Sequence, residues 1–74
     1  MHPLAFLEVY MIRVMVNGAG GKMGREVVKA VHNDPELTLV GGIDPTKAGE
    51  DVGSVAGIEQ LNIKMNASID EVLN

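Results

Sequence analysis

The chain has 74 residues, of which 46% are hydrophobic, with a formal net charge of −4 and no cysteine. A chain this short buries only about 60% of its unfolded surface, and without cysteine no disulfide can compensate, which points to a reducing, cytoplasmic setting. An acidic balance with one tyrosine and one phenylalanine argues against nucleic acid as a partner, and no stretch reaches the ~18 apolar residues of a membrane span.

Residues 1–10, MHPLAFLEVY, contain no Lys or Arg and no small-residue cleavage site, so they do not read as a signal peptide. Met11 is a second methionine, and periodic sequence begins directly after it. Residues 1–10 are therefore read as an upstream extension, with an added edge strand as the alternative. Residues 11–74 are read as part of one domain.

Ile12, Val14 and Val16, with Met15 between them, form an apolar run of the kind found in strands buried on both faces of a parallel sheet. The run ends at Asn17 and passes into NGAGGKMG. From Lys22 to about Asn33 the period becomes helical. Met23, Val27, Val28, Ala30 and Val31 fall mainly on one face, and Lys22, Arg25, Glu26, Lys29 and His32 on the other. Asp34-Pro35 closes the helix, since proline cannot continue it. LTLVGGID, from Leu37 to Asp44, is the second strand. The order of strand, glycine turn, helix and strand is the first half of a parallel α/β unit with a crossover helix.

The pattern weakens between Pro45 and Gln60, where Gly49, Gly53 and Gly57 recur. A long loop is expected there, with a short helical turn in VGSVAGI. Leu61, Ile63 and Met65 then alternate with Asn62, Lys64 and Asn66 as a candidate third strand. Ser68 with Glu71 three positions later makes a capping-box pattern for a helix over Ile69 to Leu73. A helix cut off after one turn makes the whole read as an amino-terminal fragment. The fold class expected is α/β: the amino-terminal part of a Rossmann-like parallel sheet, built as β-α-β, long loop and candidate third strand.

Glycines crowded between a strand and a helix N-terminus suit a dinucleotide. They permit the turn, the approach of pyrophosphate to backbone and close packing of helix on strand, while the helix end offers about half a positive charge. Gly18, Gly21 and Gly24 give G-x-x-G-x-x-G, and Gly18, Gly20 and Gly24 give G-x-G-x-x-x-G. Neither is the strict G-x-G-x-x-G, whose third glycine would fall at Met23, and the Lys-Ser/Thr of a phosphate loop is absent. Asp44, at the end of the second strand, stands where a carboxylate accepts the adenosine ribose hydroxyls. It favours NAD over NADP, since Pro45 beside it carries no charge. Lys47 is read as a solvated loop cation. Lys22 stands at the helix mouth beside the expected pyrophosphate. His32 is assigned to the surface, and no residues are put forward as catalytic or metal-binding.

NGAGGKMGREV, LVGGID and GEDVGSVAG together resemble the amino-terminal region of the 4-hydroxy-tetrahydrodipicolinate reductase family, over Met11 to Asn74. Members of that family use NADH or NADPH to reduce a cyclic intermediate on the diaminopimelate route to lysine. They are typically cytoplasmic or plastid homotetramers assembled through a carboxy-terminal domain. The resemblance implies that Gly18, Ala19, Gly20, Gly21, Lys22 and Met23 form the pyrophosphate loop and that Asp44 holds the ribose. Members that accept NADPH readily often carry an arginine directly after this acid, where the present chain has Pro45. The family's histidine pair, catalytic lysine and glycine-threonine motif lie in later segments, so the resemblance implies no turnover by these 74 residues alone. Two alternatives stay open here. One is a fragment of another dehydrogenase with a G-x-x-G-x-M-G loop, although those usually carry Leu or Ile where Ala19-Gly20 stand. The other is a non-catalytic nucleotide-binding remnant.

Overall fold

The computed structural model describes residues 12–73, so the extension assigned to residues 1–10 lies outside the described residues. Strand β1 (Ile12–Asn17), helix α1 (Lys22–Asn33) and strand β2 (Leu37–Ile43) follow in order. A 3₁₀ turn (Pro45–Lys47) and two short helices, α2 (Val52–Ala56) and α3 (Ile69–Leu73), come after them. β1 and β2 pair in parallel, a geometry that requires a crossover such as α1. The expected β-α-β unit is present.

The pairing contains an irregularity that the sequence pattern hides. Ile12, Arg13 and Val14 oppose Leu37, Thr38 and Leu39, but Met15, Val16 and Asn17 oppose Gly41, Gly42 and Ile43. Val40 is an extra residue, a bulge in β2. It keeps Leu39 and Gly42 on the same face, each beside a residue of β1 that packs into the core, Val14 and Val16.

α1 starts at Gly21, whose backbone is extended and offers no side-chain cap. It stops at Asp34, whose N–H bonds the Val31 carbonyl at 3.2 Å. Val28 and Val31 are its buried residues. The wider apolar face expected for α1 is corrected: Met23 is 79% and Val27 41% exposed, and Ala30 is exposed as well. Two paired strands make a narrow sheet, which reaches the Val28–Val31 side of the helix but not the adjoining Met23–Val27 side. The polar face agrees with expectation, with Lys29 and Glu26 paired at 2.6 Å. His32 lies on the surface, its Nε2 3.2 Å from Glu59 Oε1.

The core joins Val16, Ala19, Val28, Val52, Ala56 and Met65, with Val14, Leu39, Val55, Ile58 and Ile63 packed against them. α2 therefore belongs to the core, and the helical turn expected in VGSVAGI is real. The candidate third strand forms only isolated bridges among the described residues: Asn66 with Ile43 in parallel, and Lys64 with Asp51 antiparallel. The left-handed backbone at Asn62 (φ 61°) interrupts the extended run, and Met65 bonds Gly49 and Glu50 in the preceding loop. The segment still meets the β2 end through Asn66, on the edge away from β1. The capping box at α3 is also corrected: Glu71 reaches back to the N–H of Ala67 at 2.7 Å, one residue before Ser68. Among the described residues no helix is long and apolar enough to cross a membrane.

Candidate functional site

β1, the turn after it and the end of β2 converge on one corner. Gly18, at φ 77°, turns the chain through a conformation that side chains rarely adopt. The N–H groups of Gly18 and Ala19 both donate to the Ile43 carbonyl, at 2.7 and 3.1 Å, which ties the turn to β2. Gly21 N–H donates back to the Gly18 carbonyl at 3.0 Å. At Gly24 a side chain would run into that same carbonyl, so the helix lies directly on the turn. Of the three roles that glycine plays at such a corner, turning and close packing fall to Gly18 and Gly24.

Gly20 has the third, close approach, and its partner is Asp44. The Gly20 N–H donates to Asp44 Oδ2 at 3.0 Å. Thr46 donates to Asp44 Oδ1 through its N–H at 2.9 Å and its hydroxyl at 2.7 Å. Asp44 is buried. The Thr46 hydroxyl and N–H hold its carboxyl below the usual carboxylate range; burial opposes them, and the Gly20 N–H and the Lys47 cation add to the lowering. A carboxylate offers about four acceptor positions, and three are filled. The remaining one is on Oδ2, which accepts only from Gly20.

The sequence-derived residues border three sides of this corner, and Gly18 and Gly21 border two of them. Gly20 and Asp44 are in direct contact, and Gly18, Ala19 and Gly21 frame them. Met23 lines a groove of about 500 Å³ along β1 together with Gly18, Gly21, Gly24, Val14 and Val27, so Gly18 and Gly21 border this groove as well as the Asp44 contact. Lys22 lies on a third side, with Arg25, Glu26 and Lys29. The N–H groups of Gly18 through Gly21 all have acceptors, whereas those of Lys22, Met23 and Gly24 have none among the described residues. Those three point along the helix start, where the dipole favours an anion. The N–H groups still free to take an acceptor, among the described residues, are therefore in the first turn of α1 and not in the glycine turn before it.

Two residues gain weight that the sequence pattern did not give them. Thr46 occupies both positions of Asp44 Oδ1, and the signal for it was present: Asp44 caps a turn with Pro45 at its first position and Thr46 at its second. Lys47 is exposed, as a solvated cation is, yet its aliphatic stem lies against Gly20 and its charge acts on Asp44.

Comparison with known proteins gives a consistent picture. Residues 12–74 match the family model described as dihydrodipicolinate reductase, N-terminus. The 4-hydroxy-tetrahydrodipicolinate reductase of Synechocystis sp. is 51% identical over 65 residues, which is 85% of this chain and 24% of the relative. That of Cyanothece sp. is 50% identical over 64 residues, 84% of this chain and 23% of the relative. That of Syntrophomonas wolfei is 46% identical over 61 residues, 82% of this chain and 23% of the relative. The chain thus spans about a quarter of the length of the curated relatives it matches.

Proposed function

The chain belongs to the dihydrodipicolinate reductase family, and on that premise we propose that it is the cofactor-holding amino-terminal part of a 4-hydroxy-tetrahydrodipicolinate reductase of the diaminopimelate route to lysine. The observation that carries the proposal is the contact between Gly20 and Asp44. It places an ionised, buried acceptor beside a helix mouth where the Lys22, Met23 and Gly24 N–H groups have no acceptor among the described residues. A dinucleotide presents complementary chemistry: ribose hydroxyls that donate and a pyrophosphate that accepts.

In this assignment Asp44 takes a ribose hydroxyl at Oδ2, and the Thr46 hydroxyl turns aside if a second ribose hydroxyl engages Oδ1. The N–H groups of Lys22, Met23 and Gly24 would meet the pyrophosphate, while the Lys22 side chain lies on another side of the helix with Arg25, Glu26 and Lys29. NAD(P)H, when bound, supplies the hydride for the reduction. The chain's own contribution is to hold and orient the adenosine and pyrophosphate end. Substrate-gripping groups and the rest of the nicotinamide site belong to the remainder of the longer relatives, so these 74 residues bind cofactor without turnover. In an intact member the same proposal extends to a cytoplasmic homotetramer.

NADH is the cofactor proposed as preferred. The Asp44 carboxylate repels a 2′-phosphate and Pro45 gives no countercharge. Among the described residues Lys47 is the one cation acting on Asp44 and the smallest of the influences on it, so the preference rests on Asp44 and Pro45. The test is a titration of the chain with NADH, NADPH and ADP-ribose, followed by amide NMR. Saturable shifts at residues 18–24 and at Asp44, stronger for NADH than for NADPH, are expected. A dispersed spectrum that no ligand moves would sink cofactor binding by this chain.

A further inference from the structure

Asp51 lies outside the cofactor corner, yet its carboxylate accepts four hydrogen bonds, one more than that of Asp44. Oδ2 accepts from the Ser54 N–H at 2.9 Å, the Ser54 hydroxyl at 3.2 Å and the Leu61 N–H at 3.0 Å. Oδ1 accepts from the Ile63 N–H at 2.9 Å. The Ser54 bonds cap α2, an ordinary service for an aspartate. The bonds to Leu61 and Ile63 have nothing to do with capping. They reach ten and twelve residues along the chain and fix the start of the segment 61–66.

That segment leads back to the cofactor corner through an unbroken set of backbone bonds. Val52 N–H donates to the Ile63 carbonyl at 2.8 Å and Met65 N–H to the Glu50 carbonyl at 2.7 Å. Asn66 then donates to the Gly42 carbonyl at 2.9 Å and accepts from the Asp44 N–H at 2.8 Å. The backbone of Asp44 is thus held by a carbonyl at one end of a segment whose other end Asp51 fixes. Asp44 needs that support. It follows a bulged strand and precedes a 3₁₀ turn, so no regular ladder holds it on the side away from β1.

We propose that Asp51 is a positioning residue for the adenosine end of the cofactor site, acting through residues 61–66 and the Asn66 carbonyl to aim the Asp44 carboxylate at Gly20. This deepens the proposed cofactor role and rests on it. A carboxylate is required because every partner of Asp51 is a donor. Asn at this position has the same size but turns an NH₂ group toward N–H groups that need an acceptor.

The test compares Asp51→Asn with Ser54→Ala, which weakens the α2 cap but leaves Leu61 and Ile63 their acceptors. In the ligand-free chain, Asp51→Asn is expected to speed hydrogen exchange at the Asp44 and Asn66 amides about tenfold while the amides of α1 keep their protection, as a local opening does. ADP-ribose affinity is expected to fall about tenfold in Asp51→Asn and to stay unchanged in Ser54→Ala; in an Asp44→Ala background, Asp51→Asn adds no further loss, because the two residues act as one unit. Unchanged exchange at Asp44, a loss that adds fully in the double variant, or protection lost evenly across the chain would each overturn the proposal, the last by reducing Asp51 to a general stabiliser. If the unaltered chain fails to bind ADP-ribose, the cofactor role itself falls; if it binds and Asp51→Asn binds equally well, only the positioning role does.

Discussion

The Gly20 N–H donates to Asp44 Oδ2 at 3.0 Å, joining the middle of the glycine turn to the end of β2 across 24 residues. The bond sets the distance between the glycine turn and the end of β2. It also explains why a glycine stands at position 20. A Cβ there would lie 2.5 Å from Asp44 Oδ2 and 2.7 Å from Lys47 Cγ.

Gly20→Ala is therefore expected to displace the carboxylate, since Asp44 is held by three hydrogen bonds while Lys47 can swing away. Overpacking of this kind costs about 1–3 kcal/mol. ADP-ribose affinity should fall at least about tenfold, as misplacement of a single binding group commonly does. Calorimetric titration beside a urea unfolding curve separates the two effects.

Asp44→Asn keeps the size of the side chain and removes its charge. Affinity for NADH should drop about tenfold, and the ratio of NADH to NADPH affinity should move toward NADPH, because the group that repels the 2′-phosphate is gone. An unchanged ratio would remove Asp44 from the determinants of cofactor choice.

Thr46→Val takes away the Thr46 hydroxyl, the largest of the influences that lower the Asp44 pKa. In the proposed site the cofactor meets the ionised carboxylate. The acid limb of ADP-ribose affinity should therefore move to higher pH in this variant, while affinity at pH 7 holds or rises because a competing donor has left Oδ1. Titrations at a series of pH values from neutral down through the acid range, below the ordinary aspartate pKa of ~3.9, read this directly.

Stability should fall in acid through the same two aspartates. Burial raises the Asp51 pKa, but the N–H groups of Leu61, Ser54 and Ile63 outweigh it and hold the group at about 2. Asp44 is lowered as well. Both folded-state values lie below the unfolded one of ~3.9, so the stabilisation is complete above ~4 and is lost as pH falls toward 2. Urea midpoints measured between pH 7 and pH 2 should be level at first and then decline. Asp51→Asn should flatten that decline.

Val28→Ala and Val27→Ala test which side of α1 meets the core. Val28 is fully buried and Val27 is 41% exposed. The first should cost about 2 kcal/mol as a cavity in a packed site, the second within about 0.5 kcal/mol of nothing. Equal losses would mean that the Met23–Val27 side is covered in solution.

Local pattern carried the β-α-β unit because each part of it is decided by near neighbours. The Ile12–Val16 run, the stop at Asp34-Pro35 and the glycine turn need no distant partner to be recognised. Gly20 and Asp44 could be put on one site from strand-end position alone, and they are in contact. What escaped was decided across the chain. Met23 and Val27 repeat with helical period, but their burial depends on how wide a sheet lies beneath them. Alternation in Leu61–Asn66 is genuine, yet Asp51 and the Glu50 carbonyl capture its N–H groups, and the segment becomes a brace instead of a strand. Thr46 was overlooked because a threonine two residues after an aspartate looks like any turn until the aspartate has a second partner.

The bulge at Val40 has a consequence for how such chains tolerate insertions and deletions. The stretch of chain from the helix mouth to Asp44 contains one residue that opposes nothing on β1. Removing Val40 would restore an even ladder with Leu39 still opposite Val14 and Gly42 still opposite Val16, and the acid would stay on its side of the sheet. A one-residue loss there is the exception to the rule that a slip turns a strand inside out. Counting residues between glycine and acid is thus a looser guide than it looks, with a single unit of slack stored at a known address.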